Sequence, residues 1–222
     1  PMDALVSEAQ DANAYSPTDA LAFGQTYYWR VDEVRGTTID KGEVWSFVVE
    51  PEAYLLTGDK VMATASSVSD PNTTAAENTI DGTGLDEQGA LHNTDTTMMW
   101  LSVADEPNAS WIQYQFDKPY ALNAMQVWNY NGGGLNTIFG IREVLVEYSA
   151  DGETWTALEQ VSEFPEAPGL EGYASDIIIE FNDAVARQVR ITALGNWSPG
   201  GVFKQYGLSE VQFFEIPVKA RT

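Results

Sequence analysis

Between Asn78 and Trp100 runs the segment NTIDGTGLDEQGALHNTDTTMMW, polar, punctuated by glycine and carrying the chain's only histidine, His92. Its Ile-Asp-Gly turn places a carboxylate, Asp81, in a loop that also holds an imidazole. An active site, a metal clip and a long solvated loop are all open at this point. Catalysis is disfavoured: no nucleophile pattern accompanies His92, and no paired carboxylates stand in an identifiable acid–base context. One histidine and no cysteine argue against zinc. His92 itself reads as a solvated side chain or, more sharply, as a group that both donates to and accepts from a ligand hydroxyl at neutral pH.

Two further segments combine aromatic rings with amides. VWNYNGGGLNTIFGIR (127–142) holds Trp128, Asn129, Tyr130, Asn131, Asn136 and Arg142, and GNWSPGGVFKQYG (195–207) holds Asn196, Trp197, Phe203, Lys204 and Tyr206. Sugars lay their apolar C–H faces on aromatic rings while amides and charged groups take the hydroxyls, so both segments are candidate sugar sites. Glycine and proline around Trp197 make an exposed loop, where a tryptophan needs a reason to be. Trp128 reads equally well as core. Trp100, Trp111 and Trp155 sit at strand or hairpin positions and read as packing residues, Arg142 as the partner of an acidic neighbour, and the asparagines as turn formers.

The elements that must position these residues are nearly all strands. QTYYWRVDEV, EVWSFVVE, WIQYQF, LNAMQVWNY, REVLVEYS, DIIIEF, RQVRITAL and EVQFFEI are rich in aromatic and β-branched residues. Asp81-Gly82, Gly132-Gly133-Gly134, Asp151-Gly152 and Pro199-Gly200-Gly201 punctuate them. A short helix near Thr18–Leu21 or a turn around Thr74–Asn78 is the only helical expectation. Short strands, regular turns and no helical crossovers predict an all-β sandwich. EPEAYLLTGDK, with Pro51 and Gly58, breaks the pattern and divides the chain into 1–53 and 54–218, with 219–222 starting a linker. The first piece is too short to be a stable sandwich alone.

The totals agree with a folded module. Of 222 residues, 44% are hydrophobic and 12% aromatic, so a core is possible. The apolar runs are only a few residues, far short of the roughly 20 that span a bilayer, so membrane insertion is not expected. Thirty-three acidic against 11 basic residues leave a net charge of −22, which argues against nucleic acid and anionic surfaces. That balance suits neutral glycans, a calcium-rich extracellular setting or simply an acidic solvated surface. The opening PMDALVSEAQ reads as a piece of something longer, so a missing signal peptide carries no weight.

LAFGQTYYWRVDEV…GEVWSFVV resembles the last strands of a fibronectin type III domain, with Leu21 and Tyr27 at the spacing of a tyrosine corner. The resemblance implies that the Tyr27 hydroxyl pins the loop and that Trp29 and Val31 alternate into a core. The first half of such a domain is absent, which leaves edge strands open to protein neighbours. From Val61 onward, MATASS, NTIDG…MMW, WIQYQFDKPYALNAMQVWN, VEYSADGETW, ARQVRITA and GLSEVQFFE follow one another in an order that resembles the F5/8 type C, or discoidin, domains and the related family 32 carbohydrate-binding modules. With TYYWRVDEV ahead of it, the whole is similar to large modular surface proteins of planctomycete-type bacteria.

The second resemblance implies a discoidin-like jelly-roll β-sandwich whose loops at one end bind ligand. It also implies a structural calcium between the opening loop and the last strand: Asp81 and Glu210 as carboxylates, with Asn78, Thr83 and Ser209 offering carbonyl or side-chain oxygens. Calcium takes about six to eight such oxygens. By position Trp197 is the stacking aromatic, Asn129 and Asn131 stand nearest the family's Arg and Asn, and His92, Arg142 and Tyr206 complete the candidate ligand set. Two departures matter. The cysteine pair of animal members is missing, which points to the bacterial, glycan-binding branch. The histidine many sugar-binding members place after the loop's tryptophan is Leu101 here, and Gly84–Thr97 makes a longer excursion than usual. The expectation is a non-catalytic, calcium-stapled carbohydrate-binding module that holds a secreted or surface bacterial protein to a polysaccharide or oligosaccharide. The alternative is a structural or adhesion module contacting protein neighbours through exposed edge strands.

Overall fold

The structure, a computed structural model, describes residues 6–8, 10, 12, 14–50, 52–105 and 109–216. The linker expected at 219–222 and the turn residue Pro51 lie outside them. The chain divides into two compact units, Pro1–Glu52 and Ala53–Thr222.

In the first unit, β1 (Thr26–Trp29) pairs antiparallel with β4 (Trp45–Val48), while β2 (Glu33–Arg35) and β3 (Thr38–Asp40) form a hairpin. Thr18–Leu21 is not a helix; it holds only bends, since so short a polar run cannot meet the cost of nucleation. The backbone N–H of Ala22 donates to the Tyr27 hydroxyl at 2.9 Å, so this tyrosine does pin the loop before its own strand. Cross-strand rings stack on one face, Tyr27 on Phe47 with centroids 6.0 Å apart and Trp29 on Trp45 at 6.3 Å. The expectation that Trp29 and Val31 enter a core is corrected: they are 51% and 65% exposed. A two-stranded sheet has no second layer to bury them.

The second unit is a sandwich built on two long, bent strands, β9 (Trp111–Asn129) and β13 (Ile177–Ala193). Their pairing breaks register between Glu180 and Ala184, where Asn182 and Asp183 take positive φ, and each strand thereby passes from one sheet to the other. In the first sheet, residues 111–116 of β9 lie between β6 (Val61–Ala65) and the second half of β13, followed by β10 (Val144–Ser149) and β11 (Thr156–Ala157). In the second sheet, residues 122–129 of β9 lie between the first stretch of β13 and β14 (Gly207–Glu215). The outer partners of β14 are β5 (Tyr54–Leu56) and the short β8 (Trp100–Leu101). The alternation of WIQYQF is read out directly: Ile112, Tyr114 and Phe116 are buried while Gln113 and Gln115 face outward. Phe213 of β14 closes the core, edge-on to Tyr114 at 5.0 Å and to Phe116 at 5.1 Å. Truncating such a ring to alanine costs about 3–5 kcal/mol.

Two excursions leave this frame. One, at 84–97, carries β7 (Leu91–His92), and the other, at 158–176, carries β12 (Tyr173–Ala174). β7 and β12 pair with each other, Tyr173 opposite His92, so the excursions meet in a small annex. Its core is Trp128, Ala167 and Tyr173, with Leu85 packed against them. The outer face of the second sheet lies beneath it: Trp128 Nε1 donates to Ala90 O at 3.3 Å and Gln126 Nε2 to Ser175 O at 3.1 Å.

Candidate functional site

The segment containing His92 is an ordered hairpin. Leu85 bridges His92, Asn93 N–H donates to Gly84 O at 2.9 Å, and the Asp86 carboxylate accepts from the N–H groups of Ala90 and Leu91 at the tip. His92 is fully buried, which corrects both the solvated and the ligand-contact expectation. Its Nδ1 meets Asn93 O at 2.9 Å, and its ring fills the space over Gly84, where an added Cβ would stand 2.1 Å from Nε2. Burial lowers its pKa below the usual 6.5, against the opposing pull of the Asn93 carbonyl and of Asp81 and Glu171. A neutral, packed imidazole is a structural member of the annex.

Asn129 and Asn131, expected to face a ligand, are buried as well, and their amides are committed to backbone. Asn129 Nδ2 donates to Ile141 O at 2.8 Å and Pro165 O at 2.7 Å, while its Oδ1 accepts from the N–H groups of Tyr130 and Ile141. Asn131 Nδ2 donates to the carbonyls of Asn93 and Leu170 and its Oδ1 accepts from Gly169 N, each at 2.9 Å. One amide therefore ties both excursions to the end of β9. Buried amides bonded in this way to backbone are positioning groups; Asn129 has all four of its hydrogen-bonding positions filled and Asn131 three.

Of the oxygen donors assigned to a metal, the structure brings Asp81 and Glu210 together. Glu210, on β14, is only 2% exposed, and its Oε2 has no hydrogen-bond partner. Burial chiefly, and then the charge of Asp81, push its pKa up to about 8, although Gly82 N–H donates to it. An orphaned buried carboxylate beside a second one calls for a cation or a proton. Asp81 Oδ1 accepts from Thr83 N and Oγ1 at 2.8 Å, so the Thr83 hydroxyl is engaged. Asn78 sends its Nδ2 to the carbonyls of Thr73, Thr97 and Met99, and Ser209 Oγ donates to Met99 Sδ and accepts from Asn131 N. Among the described residues no group of three ionisable ligands gathers. What the structure brings together is a pair of carboxylates, donors that suit a hard divalent cation and not zinc.

At the adjoining end of the sandwich, three loops converge. Gly140 bridges Gly207, Ile141 bridges Asn196, and Ser102 and Tyr206 exchange hydrogen bonds, Ser102 N to Tyr206 O at 2.8 Å and Tyr206 N to Ser102 Oγ at 3.0 Å. Asn196 Nδ2 holds the 196–205 loop closed through Phe203 O and Gln205 O. Trp197 is half-buried: Nε1 donates to Phe164 O at 3.2 Å and the Arg142 guanidinium covers its ring. Arg142 also lies 3.6 Å from Glu143 and from Glu163. Tyr206 packs on the core, and burial raises its hydroxyl pKa, with the charge of Glu143 adding to it. The open ring is Phe203, 52% exposed, edge-on to Phe139 at 6.3 Å, which in turn rests on buried Tyr130 at 6.5 Å. The sequence offered both rings of this loop, with Trp197 as the stacking aromatic, and the structure leaves Phe203 the more exposed of the two. The proline-glycine-glycine run that reaches out with Val202 and Phe203 was the available signal.

The matching family model is the F5/8 type C domain, over residues 62–206, and the chain belongs to that family. Similar solved structures include the family 32 carbohydrate-binding module of Clostridium perfringens NanJ in complex with galactose, 18% identical over 73% of this chain and 99% of that one, TM-score 0.51. An F5/8 type C domain from Bacteroides fragilis is 18% identical over 75% and 99%, TM-score 0.51. The Clostridium perfringens module CpGH89CBM32-5, in complex with GalNAc-β-1,3-galactose, is 19% identical over 72% and 99%, TM-score 0.50. At these identities the likeness is one of fold, the discoidin-type β-sandwich. No curated protein matches the chain.

Proposed function

We propose that the chain is a non-catalytic carbohydrate-binding module that holds a secreted or surface-attached bacterial protein to an oligosaccharide or polysaccharide. The observation carrying this is Phe203: an exposed ring, propped by Phe139 and Tyr130, at the loop end of an F5/8 type C sandwich. A sugar would lay its apolar face there, beside Asn136 and Lys204, while Trp197 with Arg142 and Tyr206 form the wall. Galactose and GalNAc-β-1,3-galactose in the similar structures support the ligand class. Asp81 and Glu210 would hold a calcium ion, with oxygens of Asn78, Thr83 and Ser209 completing its shell. That ion would supply positive charge to the orphaned Glu210 and lock the turn beneath the binding loops. Weak affinity per site is offset by multiplicity in a modular parent.

A screen of the full chain against soluble glycans, with calcium and with chelator, tests this reading. Binding that disappears in Phe203→Ala supports it, and no binding to any glycan overturns it. The second reading, an adhesion or assembly module, is favoured by the first unit, whose Trp29, Trp45 and Phe47 rings stand in the open as a fibronectin type III-like fragment would leave them. Concentration-dependent association in sedimentation velocity, lost in Trp45→Ser, would support that alternative.

A further inference from the structure

Among the described residues, the first stretch of β13, Ile177–Glu180, has a single strand neighbour. β9 pairs with it on one side, whereas β10 joins β13 only from Gln188 onward. Ser175 Oγ donates to Val127 O and accepts from Ile177 N–H at 3.1 Å, so the backbone groups of Val127 and Ile177, and by alternation those of Met125 and Ile179, face the seam between β9 and β13. Ile178 and Glu180 accordingly turn their N–H and C=O groups away from the sheet. One of these groups is capped, Gln160 Nε2 reaching Glu180 O at 3.2 Å. The Ile178 side chain is 63% exposed. Edges of this kind are ordinarily blunted with lysine or proline, and DIIIEF contains neither.

Beside the edge runs a groove made of two contiguous clefts of ≈ 430 and ≈ 400 Å³, which share Pro165 and Asp176. Its apolar floor includes Val161, Ile178 and Leu170, its rim carries Glu166, Glu171 and Asp176, and among the described residues no lysine or arginine lines either cleft. Glu166 and Glu171 accept hydrogen bonds from the neutral hydroxyls of Thr137 and Thr94, which hold the carboxylates in place and leave their charge. An open strand edge, an apolar floor and a one-signed rim meet along one line.

We propose that this groove takes an extended basic polypeptide segment, which adds as a further strand to the second sheet along Ile177–Glu180. The incoming backbone bonds to the N–H and C=O of Ile178, and alternate apolar side chains settle on Val161 and Leu170. Lysine or arginine side chains between them reach Asp176, Glu166 and Glu171. Strand addition draws affinity from the main chain and specificity from alternate side chains. None of the residues given to the sugar site lines either cleft, so either reading can fail without the other.

The test titrates the ¹⁵N-labelled full chain with a peptide of alternating lysine and valine, beside an alternating glutamate–valine peptide, the lysine–valine peptide N-methylated at every second residue, and a glucosamine oligosaccharide. Expected are amide shift changes at Ile178–Glu180 with the lysine–valine peptide alone, with at least tenfold weaker binding after N-methylation. Asp176→Asn should weaken binding several-fold and Ile178→Pro should abolish it; an outward N–H makes proline tolerable there, and the melting temperature checks that the fold persists. Equal binding of the N-methylated peptide would overturn strand addition. So would perturbation of the groove by the glucosamine oligosaccharide and not by the peptide, which would assign it to a cationic glycan. No shift at Ile178–Glu180 with any probe also overturns it.

Discussion

The guanidinium carbon of Arg142 lies 4.7 Å from the centroid of the Trp197 ring, whose indole N–H is held by Phe164 O. The tryptophan's face is thereby occupied within the protein, and the open aromatic surface passes to Phe203. A cation over an indole contributes about 0.5–2 kcal/mol. Trp197→Ala is therefore expected to lower stability by roughly 2–3 kcal/mol as well as weakening sugar binding. Phe203→Ala should weaken binding at least tenfold with stability within about 0.5 kcal/mol of the parent. Paired thermal melts and glycan titrations separate the two.

Calcium at about 100 times its Kd should stabilise the chain by about 2.7 kcal/mol, raising Tm by roughly 5–10 °C. In Glu210→Gln the orphaned carboxylate becomes a neutral amide, and calcium should no longer shift Tm. A calcium increment that survives in this variant would place the ion elsewhere.

Acid should loosen the annex through His92. Its folded pKa lies below the unfolded value of 6.5, so as pH falls below 6.5 the unfolded chain takes the proton first. The stability that the neutral ring contributes is present above pH 6.5 and is lost as pH falls through the folded pKa. In His92→Gln the fall in Tm between pH 7 and pH 5 should be shallower than in the parent, and melts across that range decide it.

Gly84 has no Cβ because His92 stands where one would be. Gly84→Ala must displace the ring or the hairpin, at roughly 1–3 kcal/mol by overpacking. Hydrogen exchange should then quicken at Leu91–Asn93 and at Tyr173–Ala174, while the core of β9 keeps its protection.

Asn131→Ala removes the amide that ties both excursions to β9 and leaves the carbonyls of Asn93 and Leu170 and the N–H of Gly169 without it. A loss of about 2–4 kcal/mol is expected, since each buried group left unsatisfied costs about 1–3 kcal/mol. Asn131→Asp keeps only the acceptor and should recover part of it. Equal stability of all three proteins would mean that the annex is not anchored there.

What the sequence determined by itself was the sandwich. Side chains alternate with period two along WIQYQF, so that stretch of strand and its inward face follow from local chemistry. Glu210 beside Asp81 was legible only through family resemblance, because 129 positions separate them and spacing says nothing about which strand lies over a turn. The fates of His92, Asn129 and Asn131 were decided by tertiary structure alone. A polar residue in a glycine-rich stretch is solvated unless something covers it, and here two distant excursions pair through Tyr173 and His92 and close over the outer sheet face. Trp197 and Phe203 differ in exposure for the same reason. Both are aromatic rings in one loop, and the Arg142 guanidinium, brought up from another loop, covers a face of Trp197 and leaves Phe203 the more open ring.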